Sequence, residues 1–254
     1  MKYQVRANFF APKIQGYKNE SLSHSLCYGL CNFNCIFCNF RFKSSQAFFY
    51  YDDSSFNALL DKLFLTGKNF KFSGGEATLN PKLIEHLTTV KARGGVVYLD
   101  SNGSNPKVIE KLLMLELIDV LGISLKGVTK EEAIQVSRAP SVLAWDNVFE
   151  SMRIAGYHKS TQTIVTLVFT NATFNGRLVR FANLIKDIPS VKLKVNNLLR
   201  DDHESNVYEL LRVPPRRLAS EVERFILENP EWKGRTVLIN SNQAVCDYSE
   251  IVFF

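Results

Sequence analysis

From residue 70 onward the chain repeats one unit. A short apolar run ends in glycine or small polar residues, and a segment with helical spacing follows. Phe70-Lys71-Phe72-Ser73 runs into Gly74-Gly75-Glu76, Val96–Asp100 into Ser101-Asn102-Gly103, and Val120–Leu125 into Lys126-Gly127. Thr163–Phe169, Val191–Val195 and Thr236–Ile239 are further candidate strands. The intervening helices are predicted over Phe56–Phe64, Asn80 to Gly94, from Asn105-Pro106, at Thr129–Glu132, and over Trp145–Ala155, Arg177–Lys186 and Pro214–Leu227. Asn-Pro suits a helix start, because proline at the first helical position gives up an amide that has no partner anyway. Thr129 with Glu132 reads as a capping box, and Gly94 as a stop. Residues 21–30 alternate with period two and add a strand in front. Strands that alternate with helices pair in parallel. About six repeats follow that first strand, fewer than the eight of a closed barrel. The predicted fold is therefore α/β, a partial (β/α)6 TIM-like barrel.

A chain of 254 residues suits one domain, 1–254, with its core at about 20–200 and an extension over 200–254. No apolar run reaches the length that spans a bilayer. Met1–Arg6 lacks the apolar centre of a secretion signal, so the expected compartment is the cytoplasm, with no membrane partner. The net charge of +6 comes without a long basic run. It reads as a solvated surface with a small cationic excess rather than a nucleic-acid interface. Residues 1–20 suggest a lead-in strand or loop, and the apolar end of the tail is expected to fold back. His24 reads as a packed strand residue, and Phe40–Tyr51 as either a ligand cover or loop packing. Arg200–Glu204 reads as a solvated loop.

Three of the five cysteines fall in Cys31-Asn32-Phe33-Asn34-Cys35-Ile36-Phe37-Cys38, at the end of the first strand. Thiolates ligate soft metals and iron–sulfur clusters. A [4Fe–4S] cluster takes one ligand per iron. Three cysteines would leave one iron open, which is the mark of a catalytic rather than a structural site. Two plainer readings stand beside this one. The thiols could be core residues, or Cys27 could complete a zinc site, although only Cys246 remains downstream. In parallel α/β folds ligands gather at the C-terminal ends of the strands, and every unusual motif here falls at such an end. Gly74 and Gly75 permit close backbone approach or a positive φ, though a plain turn would use them equally. Asp100 and Lys126, at neighbouring strand ends, could hold a ligand or pair with each other.

The cysteine spacing, followed by Gly74-Gly75-Glu76, resembles the radical S-adenosylmethionine (radical SAM) superfamily. Leu99–Gly103 with Ser124-Leu125-Lys126 is similar to the activating enzymes of glycyl radical enzymes, typified by the pyruvate formate-lyase activating enzyme. The resemblance implies a radical SAM barrel, with Cys31, Cys35 and Cys38 on a [4Fe–4S] cluster and S-adenosyl-L-methionine on the open iron. It implies reductive cleavage of the sulfonium to a 5′-deoxyadenosyl radical that takes hydrogen from a substrate. It assigns Phe37, Gly74, Gly75, Glu76, Asp100, Ser101, Asn102, Ser124 and Lys126 to the cofactor. Where the subgroup has an Asp this chain has Ser124. The late Leu-Pro-aromatic-His signature is replaced by Val195-Asn196-Asn197, so Asn196 or Asn197, with Asn197 carried as the candidate, stands in for the histidine. The implied partners are a protein or peptide substrate and an electron donor such as flavodoxin or ferredoxin. Two alternatives stay open: a small-molecule or nucleotide enzyme similar to the 7-carboxy-7-deazaguanine synthases, and a non-catalytic metal- or RNA-binding module.

Overall fold

The computed structural model describes residues 3–11, 23–38, 49–170, 176–197, 213–239 and 251–253. Expectations placed on residues 12–16, 40–48 and 200–204, and on Cys246, lie outside them. The described strands are β1 (Tyr3–Ala11), β2 (Ser23–Tyr28), β3 (Phe49–Tyr51), β4 (Asn69–Gly74), β5 (Val96–Ser101), β6 (Val120–Leu125), β7 (Gln162–Phe169), β8 (Val191–Asn197), β9 (Thr236–Ile239) and β10 (Ile251–Phe253). They form one sheet in the order β10-β9-β8-β7-β6-β5-β4-β2-β1-β3. From β2 through β4 to β9 every neighbouring pair is parallel. Six parallel strands thus follow the cysteine-bearing one, and the described strands do not close on themselves. This is the expected partial barrel. The lead-in is a strand, β1, antiparallel to β2 and flanked by β3. At the far edge β10 folds back antiparallel onto β9.

The helices are α1 (Asp53–Phe64), α2 (Leu83–Ala92), α3 (Pro106–Met114), α4 (Lys130–Ser137), α5 (Asn147–Tyr157), α6 (Arg177–Ile185) and α7 (Pro215–Glu228). Several boundaries differ from the sequence reading for local reasons. α1 starts before its apolar stripe because Asp52 and Ser55 cap it reciprocally: Ser55 N–H donates to Asp52 Oδ1 (2.9 Å), and Asp52 N–H to Ser55 Oγ (3.0 Å). α2 starts at Leu83, not Pro81. Asn80 still caps the turn, accepting from Lys82 N–H at 2.8 Å, but after a 3-10 turn at Ala77–Leu79. Trp145 lies in a π-helical turn, Val142–Asp146, ahead of α5. Thr129 caps α4 as expected, yet Glu132 reaches the Val128 amide (2.8 Å) and not that of Thr129. No helix among the described residues is long and apolar enough to cross a membrane.

Alternation along the strands gives the sheet two unlike faces. Phe70, Phe72, Leu99, Ile123, Leu167 and Val195 face the helices and are fully buried in the main core. Truncating such a leucine to alanine costs about 2–5 kcal/mol. His24 shares this side, tilted against Phe70 at 5.2 Å, as a packed strand residue. The opposite, concave face starts with a small apolar cluster, Tyr98, Val120 and Ile164. Toward the C-terminal strand ends it turns polar, with Asp100, Ser124 and Lys194, and Lys71, level with Tyr98 in the register, reaches Asp100. The helix layer therefore carries the stability, and the concave side is left for chemistry.

Candidate active site

The segment after β2, Gly29–Cys38, is held to the body at three places. Gly75 N–H donates to Tyr28 O (2.8 Å) and Glu76 N–H to Leu30 O (2.6 Å), which ties its start to the end of β4. The two glycines are there for that contact. Gly74 has φ +110°, and a Cβ on it would stand 2.3 Å from Tyr28 O; one on Gly75 would stand 2.1 Å from Leu30 O. Next, Asn102 Nδ2 donates to Asn32 Oδ1 (2.9 Å) and Asn32 Nδ2 to Ser104 Oγ (2.8 Å), which ties the segment to the end of β5. Last, Asn34 and Ile36 donate their amides to Ser137 O (2.9 Å) and Val136 O (3.0 Å). These carbonyls end α4, where the helix offers no partner of its own, and Arg138, at φ +52°, turns the chain away. A sequence reading places Asn102 in the site but misses Asn32, which the cysteine motif only spaces, and Ser104 and the end of α4, which carry no motif.

Glu76 is fully buried. Its carboxylate accepts from Thr78 N–H (3.1 Å), Thr78 Oγ1 (2.6 Å), Ser101 Oγ (2.9 Å) and Asn102 N–H (2.5 Å). Burial pushes its pKa up, and these four donors pull back. Glu76 therefore works as a clamp between the ends of β4 and β5, and it shapes the Ser101-Asn102 turn that reaches Asn32. Ser101 Oγ also accepts from Gly103 N–H at 2.9 Å.

Asp100 and Lys126 do not pair. Asp100 takes Lys71 Nζ at 2.6 Å, and that ammonium lies 5.0 Å from the centre of the Tyr98 ring. Burial works to raise the Asp100 pKa, but Lys71 and Lys194 outweigh it, so the carboxyl lies below its usual range. Lys126 donates to Ser124 Oγ at 2.7 Å. Phe37, half-buried, sits in the turn between Cys35 and Cys38. Asn197 faces the helix side, and its Nδ2 donates to Val213 O at 2.7 Å. Asn196 is the one that shares the concave face with Lys194, and its Oδ1 is buried without a hydrogen-bond partner among the described residues. Lys71 and Lys194 had a signal in the sequence. Parallel strands covered on both faces read as continuous apolar runs, so Phe-Lys-Phe and Leu-Lys-Val mark a polar interior.

The cysteines present a coherent donor set. Cys31 is exposed, Cys35 buried and Cys38 half-buried. Burial pushes the Cys31 and Cys35 thiols up; Cys35, Cys38 and Glu76 push Cys31 further, and Lys126 opposes the rise at Cys35. Phe33 N–H, at 3.4 Å, already points at Cys31 Sγ. Among the described residues no group of three or more His, Cys, Asp or Glu side chains is disposed around one point as for a single metal ion. Cluster ligands need no such focus, since each meets a different iron. Thiolate donors in a loop fixed at three points, beside an ammonium, fit an iron–sulfur cluster.

An open parallel α/β barrel with three cysteines on the loop after its first parallel strand defines a class: enzymes that work at an iron–sulfur centre on the strand ends. The profile of the radical SAM superfamily matches residues 26–175, and the chain belongs to that superfamily. It is an enzyme of the radical SAM type. A protein of Methanocaldococcus jannaschii, provisionally named a glycyl-radical enzyme activating enzyme, is 34% identical over 112 residues, which is 43% of this chain and 45% of that protein. The chain thus matches less than half of that relative's length. Among solved structures the fold is similar to TYW1 with a lysine-pyruvate adduct bound (TM-score 0.59, 17% identity, 87% of this chain and 76% of that one). It is similar to anSMEcpe with bound AdoMet (TM-score 0.62, 17% identity, 80% and 58%). It is also similar to Streptococcus suis SuiB bound to the precursor peptide SuiA (TM-score 0.61, 15% identity, 82% and 46%). At these identities the likeness is one of fold.

Proposed function

We propose that the chain holds a [4Fe–4S] cluster on Cys31, Cys35 and Cys38, binds S-adenosylmethionine at the open iron, and acts on a protein or peptide substrate, as a glycyl radical enzyme activator or a peptide modifier. The observation that carries the proposal is the anchoring of the three-cysteine loop at the strand ends, tied to β4, β5 and the end of α4. When bound, the cluster and cofactor supply a carbon radical able to abstract hydrogen. The chain's own part is to bind, orient and exclude water. Phe37 and the Ser101-Asn102 turn would border the cofactor, with Asp100, Ser124 and Lys126 around it and Asn196 in the place first given to Asn197. Gly74, Gly75 and Glu76 act one step back, by fixing where the loop and the turn stand. The provisional name of the Methanocaldococcus jannaschii relative and the peptide held by SuiB support the substrate class.

The test is anaerobic reconstitution followed by chemical reduction with S-adenosylmethionine present. Release of 5′-deoxyadenosine and methionine is expected, and is expected to vanish in Cys31→Ala, Cys35→Ala and Cys38→Ala. Undiminished release from any of these three variants would overturn the ligand assignment. Incubation with a candidate precursor peptide or glycyl radical enzyme then tests the substrate class.

A further inference from the structure

We infer that Lys194, with Lys71 beside it, forms a seat for an oxyanion of the substrate, a carboxylate or phosphate, on the concave face of the sheet. The inference rests on the reading that this face is the substrate side of a radical SAM site, and it names the chemistry of what binds there.

Lys194 is only 7% exposed, yet its ammonium makes no ion pair and no hydrogen bond among the described residues. The charges that act on it are Asp100 and Lys71. Asp100 is already engaged by Lys71 at 2.6 Å. Two ammonium groups therefore share one carboxylate, and the surplus charge is Lys194's own. A buried cation left without an anion is costly to keep. It is retained where something outside the chain supplies the missing charge.

The space around it supports the same conclusion. Gly122 faces this cluster, and a Cβ there would stand 2.5 Å from Asp100 Oδ1 and 2.6 Å from the Tyr98 hydroxyl. The missing side chain lets Asp100 and Tyr98 lean over β6 toward β8. Thr166 is the register partner of Lys194 on β7 and of Ser124 on β6, so two hydroxyl-bearing residues lie in the same row. Below the row, Tyr98, Val120 and Ile164 close the concave face with apolar surface. The result is a polar patch on the concave face with one excess positive charge, suited to an oxyanion and hostile to a second cation.

The experiment is anaerobic calorimetric titration of the reconstituted full chain with inorganic phosphate and with succinate. The same titration is run on Lys194→Met, on Lys194→Gln as a second neutral variant, and on Lys62→Met as a surface control. One saturable site is expected in the wild type and in the control, weakened roughly tenfold or more in both Lys194 variants. A short peptide with an aspartate, titrated beside its asparagine counterpart, separates a peptide carboxylate from a free acid as the source. Wild-type protein without a saturable site, or Lys194 variants that bind as the wild type does, would overturn the inference. Release of 5′-deoxyadenosine, assayed on the same wild-type sample, reports separately on the functional reading: its failure leaves the calorimetric result to stand for the seat alone.

Discussion

Glu76 and Lys194 show how differently a buried charge can be treated. Glu76 has four donors around its carboxylate. In Glu76→Gln the amide can keep one oxygen on Thr78 and Ser101 but must turn its NH2 toward the Asn102 amide, donor against donor. A loss of about 1–3 kcal/mol in chemical unfolding is expected, and an unchanged stability would speak against the clamp. Lys194 has no acceptor within hydrogen-bond reach among the described residues, and burial holds its pKa down to about 8 from 10.5. Between those two pH values the unfolded chain binds the extra proton, so this group's contribution to stability improves as pH rises through the window. Replacing it with methionine should stabilise the fold at pH 7 by on the order of 3 kcal/mol. The gain should shrink from pH 8 upward and vanish near 10.5; unfolding curves at three pH values would show it. At this scale the sequence was only half legible. Gly74-Gly75-Glu76 stands out as a motif, but a motif does not say which way a side chain points. Asn197 and Asn196 were indistinguishable until the strand's face was known.

The β4–α2 connection and the cysteine loop behave as one element. A Cβ on Gly75 would stand 2.1 Å from Leu30 O and 3.1 Å from Cys31 Cβ. Because the nearest atom is backbone, Gly75→Ala must push the loop outward. Helix and sheet content should survive while iron retained per chain falls several-fold; a variant that keeps its full iron content would show that the contact does not set the loop. The boundaries of β6 and β9 could be read from the sequence without error, since apolar runs bounded by Asp and Lys or by Arg and Asn admit little else. The start of α1 could not, because the Asp52–Ser55 cap lies ahead of any apolar stripe. Nor could the π-helical turn at Val142–Asp146, whose spacing imitates the helix that follows it.

Across the whole molecule, the sheet's antiparallel margins complete what the repeats begin. β1 and β3 pair on at one edge and β10 at the other, so neither β2 nor β9 is left as a bare parallel edge inviting further pairing. Their sequences gave weak signals because edge pairing depends on strands far away in the chain. The parallel core was legible because each repeat announces itself locally. The family profile ends at residue 175. β8, with Lys194 and Asn196, lies beyond it, which is where substrate choice would be expected to separate one member of the superfamily from another.

The chain is proposed to hold an iron–sulfur cluster with one iron open to S-adenosylmethionine. The measurement that meets it most directly is low-temperature electron paramagnetic resonance of the reconstituted, reduced protein, carrying about four irons per chain, before and after the cofactor is added. A cluster signal whose g-values shift when S-adenosylmethionine binds is the expected result. A signal that the cofactor leaves unchanged, or a protein that takes up zinc in place of iron, would contradict it.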